Sequence, residues 1–276
     1  MRSIIYDIEV KHKVFYIIHQ GRKTGFYLTN RLSKTFFHYL QKGIMVDFEI
    51  TARTKRIGHH KYYQVAHFNQ VVSLFPKRVF YDIYKLRRDM ANVLEHHDYY
   101  MFLDFEMTMP SYTADEFRPE IIQVGYVIAK AKGPIISSKS YYVLPKTDRT
   151  LTKRTKKFLN LDEHIFFEEA ITYQKFYTHL KEVIDTYHPK FVVWGKNDVS
   201  ALNDSYLLHE VEPITKDYDF IDLLKLHKDY YNLKDDLGLF KAYKTYYEVE
   251  FKQTHDANDD ALVTKYVFDA FLTYMA

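Results

Sequence analysis

The chain has 276 residues, 47% of them hydrophobic, a formal net charge of +3 and no cysteine, enough for one large domain or two smaller ones around a sizeable core. The missing thiols exclude disulfides, thiolate zinc sites and cysteine nucleophiles, so any metal must sit on oxygen or imidazole. No run reaches the roughly 18 uncharged apolar residues of a membrane helix, and MRSIIYDIEVKHK is interrupted by charge too early for a secretory signal; no membrane association and a cytoplasmic location are expected.

Residues 3–30 alternate apolar and polar positions in three short runs, SIIYDIEV, KVFYIIHQ and TGFYLT, the pattern of half-buried antiparallel strands. LSKTFFHYLQKG follows as a helix stopping at Gly43, a natural C-cap. Two more strands, IMVDFEIT and YYQVAHFNQVV, flank the basic loop ARTKRIGHHK. Three strands, a helix and two strands are the element order of an OB-like barrel, a fold whose faces and loops bind single-stranded nucleic acid. Residues 1–95 hold 17 Lys and Arg against 7 Asp and Glu, whereas the remainder holds 22 against 29. That asymmetry points to an anionic partner for the first part and to cations or catalytic carboxylates in the second. In the barrel, Lys55, Arg56, His59, His60 and Lys61 beside Tyr62 and Tyr63 combine phosphate-attracting charge with rings able to stack on bases. The expected organisation is a basic domain over 1–78, a linker helix over 79–97 built on VFYDIYKLRRDMANVLEH, and a larger domain over 98–276. In the last of these a strand at 99–106, the hairpin EIIQVGYVIAKA and SSKSYYVL, and helices alternating with the strand FVVWG predict a mixed α/β sheet covered by helices.

Within the apolar run YYMFLDFEMTMP stand two carboxylates, Asp104 and Glu106. Residues i and i+2 of a strand share a face, so the two acids project together while Leu103 and Phe105 enter the opposite layer. Neighbouring carboxylates repel and one takes up a proton unless a cation intervenes; Mg2+ and Mn2+ suit an all-oxygen ligand set. In FVVWGKNDVSALND, Asp198 stands where a strand hands over to a helix, either as an N-cap or as a further acid for the same spot. Asn203 and Asp204 lie further along that helix and are less well placed. THDANDDALVTKYVFDAFLTYM has helical periodicity from Ala257. His255 and Asp260 would be about 140° apart on one helix, which puts His255 on the preceding loop, where an imidazole can accept a proton near neutrality.

Taken in order, Asp104-x-Glu106, Trp194-Gly195-x-x-Asp198-x-x-x-Leu202 and His255-x-Ala257-x-x-Asp260-Ala261 resemble the three motifs of the DEDDh exonucleases. FLDFEMTMP followed by FRPEIIQVGYV, and the Trp-Gly-x-x-Asp form of the second motif, are similar to the enhanced-RNAi exoribonuclease and KapD-like branch. The resemblance covers roughly 98–275. It implies an RNase H-like mixed sheet flanked by helices and two divalent cations, Mg2+ or Mn2+. Asp104 would bridge both ions, Glu106 and Asp260 would hold one of them, Asp198 would act through water, and His255 would be the base. It also implies 3′–5′ release of nucleoside 5′-monophosphates from single-stranded nucleic acid, RNA favoured, with Met107 and Thr108 gripping the terminal nucleotide. A DNA exonuclease and an inactive nucleic-acid-binding relative are the alternatives. Where many relatives open a helix with a Leu-Thr-Gly-Ile-like segment, this chain has KRTKKFLNLDEHIFFEEA, without glycine; the departure bears on the shape of the cleft. A second basic stretch, KTDRTLTKRTKKF at 146–158, is expected to line the route to the site or to form a solvated helix face.

Overall fold

The computed structural model describes residues 1–110, 117–146, 151–231, 233, 235–251 and 255–275. It divides into two units, Met1–Asp89 and Met90–Ala276. The first is built from β1 (Arg2–Glu9), β2 (Val14–His19), β3 (Arg22–Tyr27), α1 (Asn30–Phe36), β4 (Met45–Ile57), β5 (His60–Leu74) and β6 (Lys77–Asp82). Antiparallel pairing runs β3-β2-β1-β4-β5-β6, and β3 also pairs in parallel with β5 through Gly25↔Tyr62, Phe26↔Tyr63 and Tyr27↔Gln64. That extra pairing closes β1 to β5 into an OB-like barrel, with β6 appended to β5. Alternate residues point inward. Phe48 is fully buried, its ring centroid 5.2 Å from Phe15 and 4.9 Å from Phe26.

Three expectations for this unit are corrected. ARTKRIGHHK is not a loop: β4 and β5 stay paired through Lys55↔Tyr62, Arg56↔Lys61 and Ile57↔His60, and only Gly58, at φ +60°, and His59 turn the chain. Charge marks an exposed hairpin here as readily as a loop. Gly43 does not cap α1, which starts at its N-cap Thr29 and ends in a 3-10 turn at Phe37–Tyr39; Gly43, at φ +89°, lies in the turn into β4. VFYD extends a strand rather than opening the helix, since Val79 and Tyr81 pair with β5 and the Asp82 carboxylate accepts from the Lys85 N–H to start α2 (Ile83–Glu95). This helix runs across the boundary between the two units.

The second unit contains β7 (Tyr100–Met107), β8 (Ile121–Ala129), β9 (Ile135–Tyr142), α3 (Lys153–Phe158), α4 (Glu163–Glu169), α5 (Tyr173–Tyr187), β10 (Lys190–Val193), α6 (Asn197–Leu208), β11 (Phe220–Asp222), α7 (Leu223–Tyr231), α8 (Leu239–Tyr247) and α9 (Ala257–Met275). The sheet order is β11-β10-β7-β8-β9, antiparallel from β7 to β9 and parallel from β7 to β11. β11, three residues long, escapes periodicity analysis because it is shorter than the pattern that would reveal it. On β7, Met101, Leu103 and Phe105 join the α5 and α6 layer, with Phe176, Leu180 and Leu202. Tyr100 and Phe102 join the α7 to α9 layer, their rings 5.0 and 5.3 Å from Phe268. Each large side chain so buried contributes about 1.5–3 kcal/mol. The two layers fix the register of β7, because a one-residue slip would exchange its faces, and Asp104 and Glu106 therefore extend the face covered by α9.

Barrel stability rests on its aromatic centre. Phe48→Ala is expected to cost about 3–5 kcal/mol, visible as faster amide hydrogen exchange across β1 to β5.

Candidate active site

Asp104 and Glu106 end the α9-facing row of β7, opposite Gly125 and Gln123 of β8. Asp260, on the first turns of α9, brings a third carboxylate so that one oxygen from each of the three lies within 4.8 Å of the others. Its neighbour Asp259 is outside that group. Gly125 explains the approach: a Cβ there would stand 2.0 Å from the Ala257 carbonyl carbon and 2.2 Å from the Asn258 nitrogen, so only glycine lets the start of α9 settle on β8.

Asp198 reaches the site differently. Gly195, at φ +103°, turns the chain two residues after β10, Lys196 occupies the N-cap of α6, and Asp198 falls in the helix's first turn. It is thus not the cap. Its Oδ1 accepts a hydrogen bond of 2.9 Å from the Phe105 N–H, which ties α6 to β7 between Asp104 and Glu106. The charge of Asp198 acts on all three members of the cluster. His255, at φ +54°, immediately precedes the α9 cap, its ring centroid 4.4 Å from that of Phe158. Phe158 stands at the end of α3, in the segment that lacks the relatives' glycine.

Burial and mutual repulsion shape the electrostatics. Loss of water, then the charges of Asp260, Asp198 and Asp256, push the Glu106 carboxyl up to about 8. Asp260 is raised to about 7 by burial and by Asp259, Asp256 and Asp198. Asp104 is driven well above the carboxylate range by burial and by Asp198, Asp260, Glu106 and Asp256. Asp198 reaches only about 6, since burial is opposed by the Phe105 N–H. Oδ1 of Asp260 is buried without a hydrogen-bond partner. A converging set of hard oxygen donors, one of them lacking any donor of its own, fits a divalent cation better than it fits protein alone.

Beside the carboxylates lies an open cleft of about 520 Å³, walled by Met107, Thr108, Met109, Phe117 and Phe158 and by Asn197, Ser200, Ala201 and Asp204. The last four recur at helical spacing and form one stripe of α6. Thr108 is buried, its N–H donating to Glu120 O and its hydroxyl oxygen accepting from the Glu120 N–H, both at 2.9 Å. The Met109 N–H donates to Thr155 Oγ1 at 2.8 Å, fastening the strand end to α3. Sequence reasoning missed Gly125, Gln123 and Asp256; the signal available for Asp256 was an Asp immediately before a periodic helix. It also set Asp204 aside, although helical spacing from Asn197 through Ser200 and Ala201 brings Asp204 to the cleft. Of the basic stretch 146–158, residues 147–150 lie outside the described residues. Lys146 donates to Leu208 O and Lys156 pairs with Glu163, so both cations are engaged. In the barrel, Lys55, Arg56 and Lys61 are exposed on the β4–β5 hairpin. Tyr62 is corrected: it is 4% exposed, packed where Gly25 has no side chain and hydrogen-bonded to Tyr16, so its ring has no face for a base.

A family model described as RNase_T, exonuclease, matches residues 101–268. The probable 3′-5′ exonuclease KapD of Bacillus subtilis (strain 168) is 29% identical over 170 residues, which cover 61% of this chain and 82% of KapD. The nuclease domain of 3′hExo, a DEDDh family member solved bound to rAMP, superposes with a TM-score of 0.57 at 18% identity over 65% of this chain and 94% of that one. A full-length 3′-exonuclease gives 0.56 at 18% over 64% of this chain, and the match spans 61% of that protein. At such identities the two structures speak for a shared fold.

The raised carboxyls have a measurable consequence. A carboxyl that keeps its proton longer in the folded than in the unfolded chain favours folding at low pH, and that stability is lost as pH rises through the folded value. For Glu106 the window runs from the ordinary 4.5 to about 8. Without divalent cation the thermal midpoint should fall between about pH 5 and pH 8, and Glu106→Gln should exceed wild type at the upper end. Added Mg2+ should raise the wild-type midpoint more than the variant's. Scanning calorimetry with and without chelator reads all three.

Proposed function

The chain belongs to the RNase_T exonuclease family, and on that footing we propose that it is a 3′–5′ exonuclease acting on single-stranded 3′ ends, RNA in preference to DNA, with Asp104, Glu106, Asp198, Asp260 and His255 as its catalytic set. The observation that carries the proposal is the triad of carboxylate oxygens within 4.8 Å at motif positions drawn from two distant segments. RNA preference is supported by the form of the first two motifs, FLDFEMTMP with FRPEIIQVGYV and Trp194-Gly195-x-x-Asp198, which resemble the exoribonuclease branch.

Asp104, Glu106 and Asp260 are the residues that would hold Mg2+ or Mn2+, with Asp198 beside them. When bound, the cations supply Lewis-acid stabilisation of the negative charge that builds on the phosphate and on the departing 3′ oxygen. The chain's own groups do the rest. Met107 and Thr108 wall the position of the terminal nucleotide, and the apolar side chains of Met109, Phe117 and Phe158 keep bulk water from its base. His255 accepts the proton of the attacking water, and Phe158 holds the imidazole by ring contact. Asp198 keeps the strand segment at Phe105 in place through its backbone hydrogen bond. The products are a nucleoside 5′-monophosphate and a strand shortened by one nucleotide.

The barrel supplies grip on the remaining strand. Lys55, Arg56 and Lys61 present phosphate-binding charge on an exposed hairpin. Tyr63, half-buried with Lys61 Nζ 5.3 Å from its ring centroid, replaces Tyr62 as the aromatic candidate.

Matched 5′-labelled RNA and DNA strands, incubated with Mg2+ or Mn2+, test the proposal. A ladder shortening from the 3′ end, faster on RNA and reduced by on the order of 10³-fold in Asp104→Ala, is expected. Faster shortening of DNA would select the repair-type alternative, and binding without shortening the inactive one. Replacing Lys55, Arg56 and Lys61 together by Ala should weaken long-strand binding and flatten its log-affinity against log-salt slope by about 2, at roughly 0.7 per phosphate contact. An unchanged slope would remove the hairpin from the binding surface.

A further inference from the structure

Gln123 is one of the few polar side chains buried in the sheet, 6% exposed, and it faces α9 from the strand position opposite Glu106. Its Nε2 donates to Asp256 Oδ2 at 2.7 Å and to Ser140 Oγ of β9 at 3.2 Å. The other oxygen of Asp256, Oδ1, accepts from the N–H groups of Asn258 and Asp259 at 3.0 and 3.2 Å. The Asp256 carbonyl accepts from the Asp260 N–H at 3.0 Å. One carboxylate thus caps the first turn of α9 with two hydrogen bonds and bonds that turn to the sheet with a third. Two residues along the same face of β8, Gly125 admits the Ala257 and Asn258 backbone.

Asp256 lies outside the cluster of three carboxylates but close enough for its charge to oppose their ionisation. An acid that adds repulsion to a crowded site should be compensated by what it holds. What it holds is the junction between His255, in left-handed backbone geometry at φ +54°, and the helix that carries Asp260.

We propose that Gln123 and Asp256 form a clamp that positions His255 and Asp260 together at the site, Gln123 fixing the clamp to β8 and Asp256 passing that constraint to the residues on either side of it. Both are positioning residues and neither touches substrate. The proposal rests on the exonuclease reading only for its kinetic consequence. A displacement of about 1 Å at a reacting group can cost on the order of 10²-fold in rate, so a loosened clamp should act on kcat while leaving substrate contacts, and hence KM, in place. Gln123 and Asp256 should also behave as one unit.

The test uses the full-length chain with Mg2+, a 5′-labelled single strand, and the variants Gln123→Met, Asp256→Ala, Asp256→Asn and the double variant Gln123→Met with Asp256→Ala. Gln123→Met keeps length and apolar packing but has no donor. It and Asp256→Ala should each lower kcat by about 10- to 100-fold with KM within about twofold. The double variant should be no worse than the poorer single one. Asp256→Asn should recover most of the loss, because an Asn side chain still caps a helix and the Gln123 amide can turn its oxygen toward it. Lower thermal midpoints with kcat unchanged, or losses that multiply in the double variant, would overturn the clamp. Should the wild type shorten no substrate at all, the exonuclease reading has failed instead. Amide exchange over residues 255–261 then still reads the clamp: faster exchange in Gln123→Met supports it, and unchanged exchange overturns it. If Asp256→Ala does not fold, Gln123→Met alone carries both readouts.

Discussion

The second unit is arranged around carboxylates that repel one another at the end of its central strand, β7. A fold does not bring such groups together without securing each one separately, because left to move they would part and take up water. Asp104 and Glu106 are held by strand register, since slipping β7 by one residue would exchange its faces, carrying the acids into the apolar layer of Phe176, Leu180 and Leu202. Asp198 is held by the Phe105 N–H. Asp260 is held by a helix that rests on Gly125 and is capped by Asp256. Three different devices, a sheet, a side-chain to backbone bond and a close backbone contact, converge on one point. The repulsion they oppose is what a divalent cation would relieve, so the geometry that would suit a metal is prepared by contacts, strand register, the Phe105 N–H and Gly125, that supply no ligand themselves.

Much of this was legible in the chain itself. The i, i+2 placement of Asp104 and Glu106 within an apolar run already states that both share a face, and the apolar residues around them state that the strand is buried. The five-residue gap between His255 and Asp260 already places them on different elements. What periodicity could not disclose was contact between elements. Gly125 looks like any small residue in a buried strand until the start of α9 is seen against it, and Gln123 looks like a polar interruption until Asp256 faces it. Tyr62 failed for the same reason: a tyrosine beside lysines reads as a stacking surface, yet pairing of β3 with β5 sets it over Gly25 and buries it. Boundaries failed where local charge and tertiary pairing disagreed. ARTKRI stayed in β4 because its backbone found partners in β5, and VFYD joined the barrel as an added strand because β5 still offered an edge.

The two units carry opposite charge, and the proposed division of labour follows from that. A site built from acids presents a repulsive field to a polyanion, and even with cations bound the surrounding unit remains acidic, with 29 Asp and Glu against 22 Lys and Arg beyond residue 95. Screening confines that field to about 8 Å at physiological salt, so it acts on the strand only near the carboxylates. What a basic unit can do is bind the strand through its own phosphate contacts and, being covalently joined to the nuclease unit, keep the 3′ end at high local concentration. Cations held by Asp104, Glu106 and Asp260 would supply positive charge to the few phosphates at the scissile bond. On this account affinity and chemistry place opposite demands on surface charge, and a chain that separates them into a lysine-rich barrel and a carboxylate-lined sheet meets both without requiring either surface to do the other's work.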